Sequence, residues 1–123
     1  AFMSRDHRLR AFTCRGAATT ELVVACFDDF AQGLTKPTVV VLDNASIHRS
    51  GAFKNKIAQW RKQNLLIQFL PAYCPELNLI EILWKHIKYH WLSPQDFSSA
   101  QTLAHALDHI LTAFGEKYRI TFA

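Results

Sequence analysis

Asp43 ends the apolar run Val39-Val40-Val41-Leu42, and Glu81 closes a second distinctive segment, Leu70 to Glu81. A carboxylate delivered by consecutive apolar residues is what a buried parallel strand presents at the edge of a sheet. Asp43 followed by Asn44 could ligate a divalent metal, although Asp-Asn is equally good turn chemistry. Two such acids suggest metal-dependent phosphoryl transfer. In that chemistry two divalent ions about 3.5–4 Å apart stabilise the attacking and leaving oxygens at phosphorus. Such a site usually takes a third carboxylate.

Other residues could support this chemistry. His48 could orient a ligand, touch a phosphate or move a proton, or it could satisfy a loop. Asn78, Glu81, Lys85 and Lys88 recur at i, i+3, i+7 and i+10. They read either as a polar stripe with a Glu81–Lys85 pair or as a metal ligand followed by phosphate contacts. Between Asn44 and Pro75 stand Arg49, Lys54, Lys56, Arg61 and Lys62 with no acid among them. That stretch reads either as a solvated helix face or as a surface for DNA. His86/His90 and His105/His109 have a helical zinc spacing but lack the adjacent Glu of a zincin. Asp28-Asp29, inside a helix, is expected to face solvent or pair near a helix end.

These residues need elements to hold them. The N-terminal stretch reads as a hairpin: Phe2 to Ser4, a polar turn at Arg5-Asp6-His7, then Arg8 to Cys14, closed by Gly16. Thr19 or Thr20 caps a helix to about Gln32 that stops at Gly33. Lys36-Pro37 breaks the chain before a strand from Thr38 to Leu42. Ser50 caps a helix striped by Phe53, Ile57 and Trp60. Leu65 to Leu70 is a strand ended by Pro71. Pro75 suits the first turn of a helix running to about Trp91, with Leu77, Ile80, Trp84, Ile87 and Trp91 on one face. Ser93-Pro94-Gln95-Asp96 resembles a capping box. The last helix runs through Phe97, Ala100, Leu103, Ala104, Leu107, Ile110, Leu111 and Phe114 to Gly115. The order β-β-α-β-α-β-α-α implies a partly parallel sheet flanked by helices, after an antiparallel start.

At 123 residues the chain is one domain at most, half of it hydrophobic, with a net charge of +4. Its apolar runs fall short of the roughly 20 residues a membrane span needs, and no signal-peptide pattern opens it. Three separated cysteines, Cys14, Cys26 and Cys74, make neither a disulfide framework nor a zinc ribbon and suit a reducing cytoplasm. Ala1 in place of Met fits a processed start or a fragment edge.

Val39 to His48 and Leu70 to Lys88 together resemble the catalytic core of DDE transposases, in the bacterial insertion-sequence branch related to the mariner superfamily. That pattern is an apolar strand ending in Asp-Asn-Ala-x-x-His. A basic helix follows, then Leu-Pro-x-Tyr-Ser-Pro-x-Leu-Asn-Pro-Ile-Glu-x-x-Trp-x-x-x-Lys. The likeness extends more weakly from Phe2 to about Leu92. Asp43 matches the second catalytic carboxylate and Glu81 the third, whereas His48, Asn78, Trp84 and Lys88 match further motif positions. Cys74 stands where Ser is usual and Leu79 where Pro is usual.

The resemblance implies a ribonuclease-H-like α/β fold, a mixed sheet flanked by helices. It also implies Mg²⁺ or Mn²⁺ bound by Asp43 and Glu81, a DNA substrate, and cleavage followed by strand transfer in transposition. The family's first strand, with its Asp, precedes the hairpin, so residues 1–123 are expected to be a truncated catalytic domain, inactive or nearly so alone. Unpaired strand edges imply a homo-oligomer. The expected location is the bacterial cytoplasm, at the nucleoid when on DNA. Two rivals remain: a non-catalytic module that binds DNA or a transposase, and an unrelated metal hydrolase using Asp43 and the histidine pairs.

Overall fold

The computed structural model describes residues 1–72, 74 and 77–122. The chain divides into two compact units, one of residues 1–11 and 79–123 and the other of residues 12–78. Both α and β structure are present, with the strands forming two separate pairs. Phe2–Met3 (β1) pairs antiparallel with Leu9–Arg10 (β2). Thr38–Leu42 (β3) pairs parallel with Leu65–Phe69 (β4), in register from Thr38 opposite Leu65 to Leu42 opposite Phe69. The parallel pairing and the antiparallel start match expectation; among the described residues they do not join into one sheet.

In the unit of residues 12–78, the first helix spans Thr20–Gln32 (α1). Thr19 caps it, its hydroxyl accepting from the Leu22 N–H at 3.2 Å. Gly33 ends it without a left-handed turn, its φ being −86°. The expected second helix is two pieces, Gly51–Lys54 (α2) and Ile57–Lys62 (α3). Ser50 caps the first, accepting from the Phe53 N–H at 3.2 Å. At the junction the Lys56 N–H reaches only back to the Phe53 carbonyl, at 3.1 Å. Asn55, a weak helix former, marks the break. Asn64, at φ 72°, takes the left-handed turn after α3. Its carbonyl then accepts from the Thr38 N–H at 2.8 Å, which starts the parallel ladder.

The core of this unit is an aromatic cluster. Phe53 and Trp60 are fully buried, and Phe27 nearly so. Phe27 packs edge-on to Phe53 at 5.0 Å and stacks on Trp60 at 5.1 Å, and Phe53 meets Trp60 at 5.0 Å. Each such ring contributes about 1.5–3 kcal/mol by burial, and their mutual geometry adds about 0.5–1.5 kcal/mol per pair. Asp28 does not face solvent alone or pair at a helix end. Its Oδ1 accepts from the Trp60 indole N–H at 2.7 Å and lies 3.2 Å from Lys56 Nζ, joining α1 to α3.

In the other unit, the helix Leu79–His86 (α4) runs into a π-turn, Ile87–Trp91, closed by the Leu92 N–H on the Ile87 carbonyl at 3.0 Å. Pro75, expected at a helix start, lies outside the described residues. Leu83 is fully buried and Ile87 5% exposed, whereas Trp84 is 39% exposed and Leu77 53%. The inward face is therefore set by Ile80, Leu83 and Ile87. Of the expected stripe, Ile80, Ile87 and Trp91 do pack into the core, whereas Trp84 gives its place to Leu83, one step of about 100° around a helix, and Leu77 precedes the helix. The Ser93–Asp96 capping box forms, but it closes a short 3₁₀ turn at Pro94–Phe97. The long helix Ala100–Ala113 (α5) starts afresh at Ser99, whose hydroxyl accepts from the Thr102 N–H at 3.0 Å. Phe97 is accordingly 55% exposed and outside the core. Gly115, at φ 95°, follows Phe114, and a Cβ there would stand 2.9 Å from the His7 carbonyl oxygen. The close approach of the hairpin turn and the positive φ both require glycine.

Candidate active site

Asp43 follows the last residue of β3, the carboxyl end of a parallel strand, where ligand sites of open α/β sheets gather. Its side chain is 44% exposed. Oδ1 accepts from the Ala45 N–H at 3.1 Å, closing a turn over the strand end. The same oxygen accepts from His48 Nδ1–H at 3.0 Å. An ionised carboxylate can only accept, so this contact puts a proton on Nδ1. The expected turn forms on Oδ1, and Oδ2 has no hydrogen-bond partner among the described residues.

His48 sits in the 3₁₀ turn Ser46–Arg49, which carries the chain from Asp43 to the Ser50 cap. Its ring lies 5.5 Å from that of Phe53. A continuous run of rings therefore links Trp60, Phe53 and His48 to the carboxylate. Asn44 turns elsewhere: its Nδ2 donates to the Leu70 carbonyl at 2.7 Å. Leu70 N–H in turn donates to the Leu42 carbonyl at 2.7 Å. Asn44 thereby ties together the exits of β3 and β4, a structural role beside the acid.

The basic candidates divide. Arg49, Lys54, Arg61 and Lys62 are exposed. Lys56 is partly buried and held by Asp28 and by Gln59 Oε1 at 3.0 Å. Much of its charge is therefore spent inside the protein. Asn78 is half-buried at the end of this unit.

Glu81, Lys85 and Lys88 belong to the other unit. Glu81 is exposed in the first turn of α4, where the unpaired N–H groups of a helix favour an anion. Leu79 is the first helical residue. That is the one helical position where Pro is at home, because its N–H would be unpaired in any case. Lys85 and Lys88 are exposed, and Lys88 Nζ stands 5.2 Å from the Tyr89 ring centroid.

Carboxylate oxygens suit a hard divalent cation such as Mg²⁺, so the chemistry of Asp43 and Glu81 fits one. Among the described residues no group of three or more His, Cys, Asp or Glu could hold a metal. His105 and His109 line a pocket of about 370 Å³ with Trp91, Asp96 and Tyr118. His86 Nδ1 stands 2.9 Å from the Ile82 carbonyl, engaged with its own helix. Sequence reasoning missed Asp28, Phe53 and Trp60 as the support behind His48. The Phe53/Trp60 spacing announced burial, but nothing in the sequence tied it to Asp28.

The family model of the DDE superfamily endonucleases matches residues 1–104. No curated protein and no solved structure matches the chain. No helix among the described residues is long and apolar enough to cross a membrane.

Proposed function

The chain belongs to the DDE superfamily of endonucleases, and from that premise we propose that it is the catalytic core of a bacterial insertion-sequence transposase of the mariner-related branch, built on a ribonuclease-H-like plan. The observation that carries this reading is Asp43, an acid at the carboxyl end of a parallel strand, fixed by the Ala45 N–H and His48. Around it stand the family's Asp-Asn-Ala-x-x-His residues. Asp43 would act as the second of the family's carboxylates and Glu81 as the third, each a ligand for Mg²⁺ or Mn²⁺. When bound, such ions supply charge stabilisation to the attacking and leaving oxygens of a phosphodiester.

The chain's own residues prepare that chemistry. His48 holds Asp43 in one pose, and Asn44 holds the β4 exit beside it. Arg49, Lys54, Arg61 and Lys62, with Lys85 and Lys88, would meet DNA phosphates. Residues 1–123 alone offer two of the three carboxylates. We expect little or no nicking of supercoiled plasmid by this polypeptide in Mg²⁺. Robust nicking abolished by Asp43→Asn would overturn the inactivity. A longer polypeptide supplying a strand ending in Asp ahead of Phe2 should nick, and should fall to background on Asp43→Asn or Glu81→Gln. Nicking that survives both substitutions would remove the transposase assignment.

We further propose that the chain self-associates through β3, as a cytoplasmic protein at the nucleoid. Val39 and Val41 are 59% and 47% exposed on this strand, and exposed apolar strands invite pairing. A monomeric mass by light scattering at high concentration would refute it.

A further inference from the structure

The helix that carries Glu81 presents two large aromatic side chains to solvent. Trp84 is 39% exposed and Tyr89 64%. Neither exposure is a by-product of a poor inward face, since Leu83 and Ile87 fill that role on the same segment. The aromatics alternate with cations. Trp84 and Lys88 are spaced i, i+4, as are Lys85 and Tyr89, so these side chains share neighbouring surface. Lys88 Nζ is already 5.2 Å from the Tyr89 ring centroid. Between Glu81 and Asp96 there is no acid. Glu81 itself lies i−3 and i−4 from Trp84 and Lys85, at the start of the same face.

Exposed rings interleaved with lysines are the composition of a surface for unpaired nucleic acid. Bases stack on the rings, and ammonium groups follow the backbone. A duplex has no free base faces to offer and would use only the lysines. From Glu81 to Tyr89 the helix rises on the order of 12 Å, room for about three or four bases at about 3.4 Å each.

We infer that Trp84 and Tyr89, with Lys85 and Lys88, form a stacking surface for a few unpaired DNA bases on the helix that carries Glu81. The inference rests on the endonuclease reading and adds which form of DNA this face holds: a frayed or single-stranded stretch next to the acid. The π-turn at Ile87–Trp91 belongs to the device, because it carries both Lys88 and Tyr89.

The test is fluorescence anisotropy of the 123-residue protein in EDTA, which removes any dependence on catalysis. The probes are a labelled thymidine 12-mer, an abasic 12-mer and a 12-base-pair duplex. Trp84→Ala and Tyr89→Ala should each weaken thymidine binding roughly tenfold, from the usual worth of one stacked base. Duplex binding should change less than about twofold, and the abasic strand should bind wild type no better than the variants bind thymidine. Tyr89→Phe should retain binding, and Lys88→Gln should weaken all three probes by loss of a phosphate contact. Both residues are solvent-exposed, and circular dichroism verifies that the variants fold. Equal binding of thymidine and abasic strands, or unchanged affinity in both alanine variants, overturns the inference while leaving the endonuclease reading intact. Loss of self-association in place of DNA affinity overturns it in the same way. Wild type that binds no DNA overturns both.

Discussion

Replacing Asp28 with Ala tests whether the core beneath His48 is built as described. Trp60 is fully buried, and its indole N–H donates to Asp28 Oδ1 at 2.7 Å. Removing the acceptor leaves that N–H unsatisfied, at a cost of about 1–3 kcal/mol. Lys56 Nζ keeps Gln59 but also loses its 3.2 Å contact with the same oxygen. With side chains 26% and 34% exposed, that pair adds at most about 1 kcal/mol after solvent screening. Ala is the better helix former by roughly 0.5 kcal/mol inside α1. The net loss is then about 0.5–3.5 kcal/mol, a fall in Tm on the order of 2–17 °C for a chain of this size. Asp28→Asn keeps a neutral acceptor and should lose about half as much. Thermal unfolding followed by near- and far-ultraviolet circular dichroism reads both variants. Because Trp60, Phe53 and His48 are in ring contact, the His48 Nδ1–H proton resonance should also broaden in Asp28→Ala. A Tm drop under about 2 °C, or Asn no better than Ala, would refute the reasoning.

Four further outcomes follow from single residues. Gly115→Ala must hold a φ of 95° and bring a Cβ within 2.9 Å of the His7 carbonyl; it should cost at least about 1 kcal/mol, read as a lower urea midpoint. Leu79→Pro restores a fixed φ at the first position of α4 and should stabilise by roughly 0.5 kcal/mol by narrowing the unfolded ensemble, less any loss of Leu79 burial, measured by calorimetry. Burial pushes the Cys26 thiol above its ordinary value, so it carries less thiolate at pH 8; iodoacetamide should label exposed Cys14 first, and Cys26 labelling should quicken as pH rises, by mass spectrometry. The Ser4 hydroxyl, aided by Arg8, holds the Asp6 carboxyl below its ordinary value. A depressed folded pKa stabilises the hairpin turn at neutral pH and loses that effect as pH falls through the folded value, which amide shifts of Ser4 and Arg8 would follow.

Where the signal was local, the sequence told it well. Thr19 and Ser50 cap their helices because a hydroxyl three residues ahead of a free N–H needs no distant partner. The strand Thr38–Leu42 and its Asp were legible from apolar content alone. Errors came where two local answers tied. Ile80, Ile87 and Trp91 belong to the expected inward face and do pack in the core, but Leu83 and Trp84 are neighbours, and only packing chooses Leu83. The Ser93–Asp96 box is a true cap, but it closes a single 3₁₀ turn, and Ser99 offers a second cap six residues on. Asp28 was misread for a different reason. Its partners are Trp60 on α3 and Lys56 just ahead of it, and no spacing rule reaches that far. The contact of Asp43 with His48 spans five residues across an irregular turn, so composition named both residues without pairing them.

The two acids are held by different physics. Asp43 has one oxygen pinned by a backbone N–H and an imidazole, with a ring cluster behind the imidazole. Its pose is set by the fold itself. Glu81 has no side-chain hydrogen bond among the described residues and lies exposed in a first helical turn. The unpaired N–H groups of that turn favour its charge without fixing its pose. Ordering such a side chain costs up to about 1.5–2 kcal/mol, and in metal binding Glu81 would bear that cost while Asp43 would not. It follows that His48→Ala should weaken Mn²⁺ affinity about 10–100-fold by releasing Asp43, whereas Leu79→Pro, which stiffens the backbone beneath Glu81, should strengthen it slightly. Manganese relaxation enhancement would read both. If His48→Ala left affinity unchanged, the carboxylate would not be preset by its neighbours, and the asymmetry between the two acids would fail.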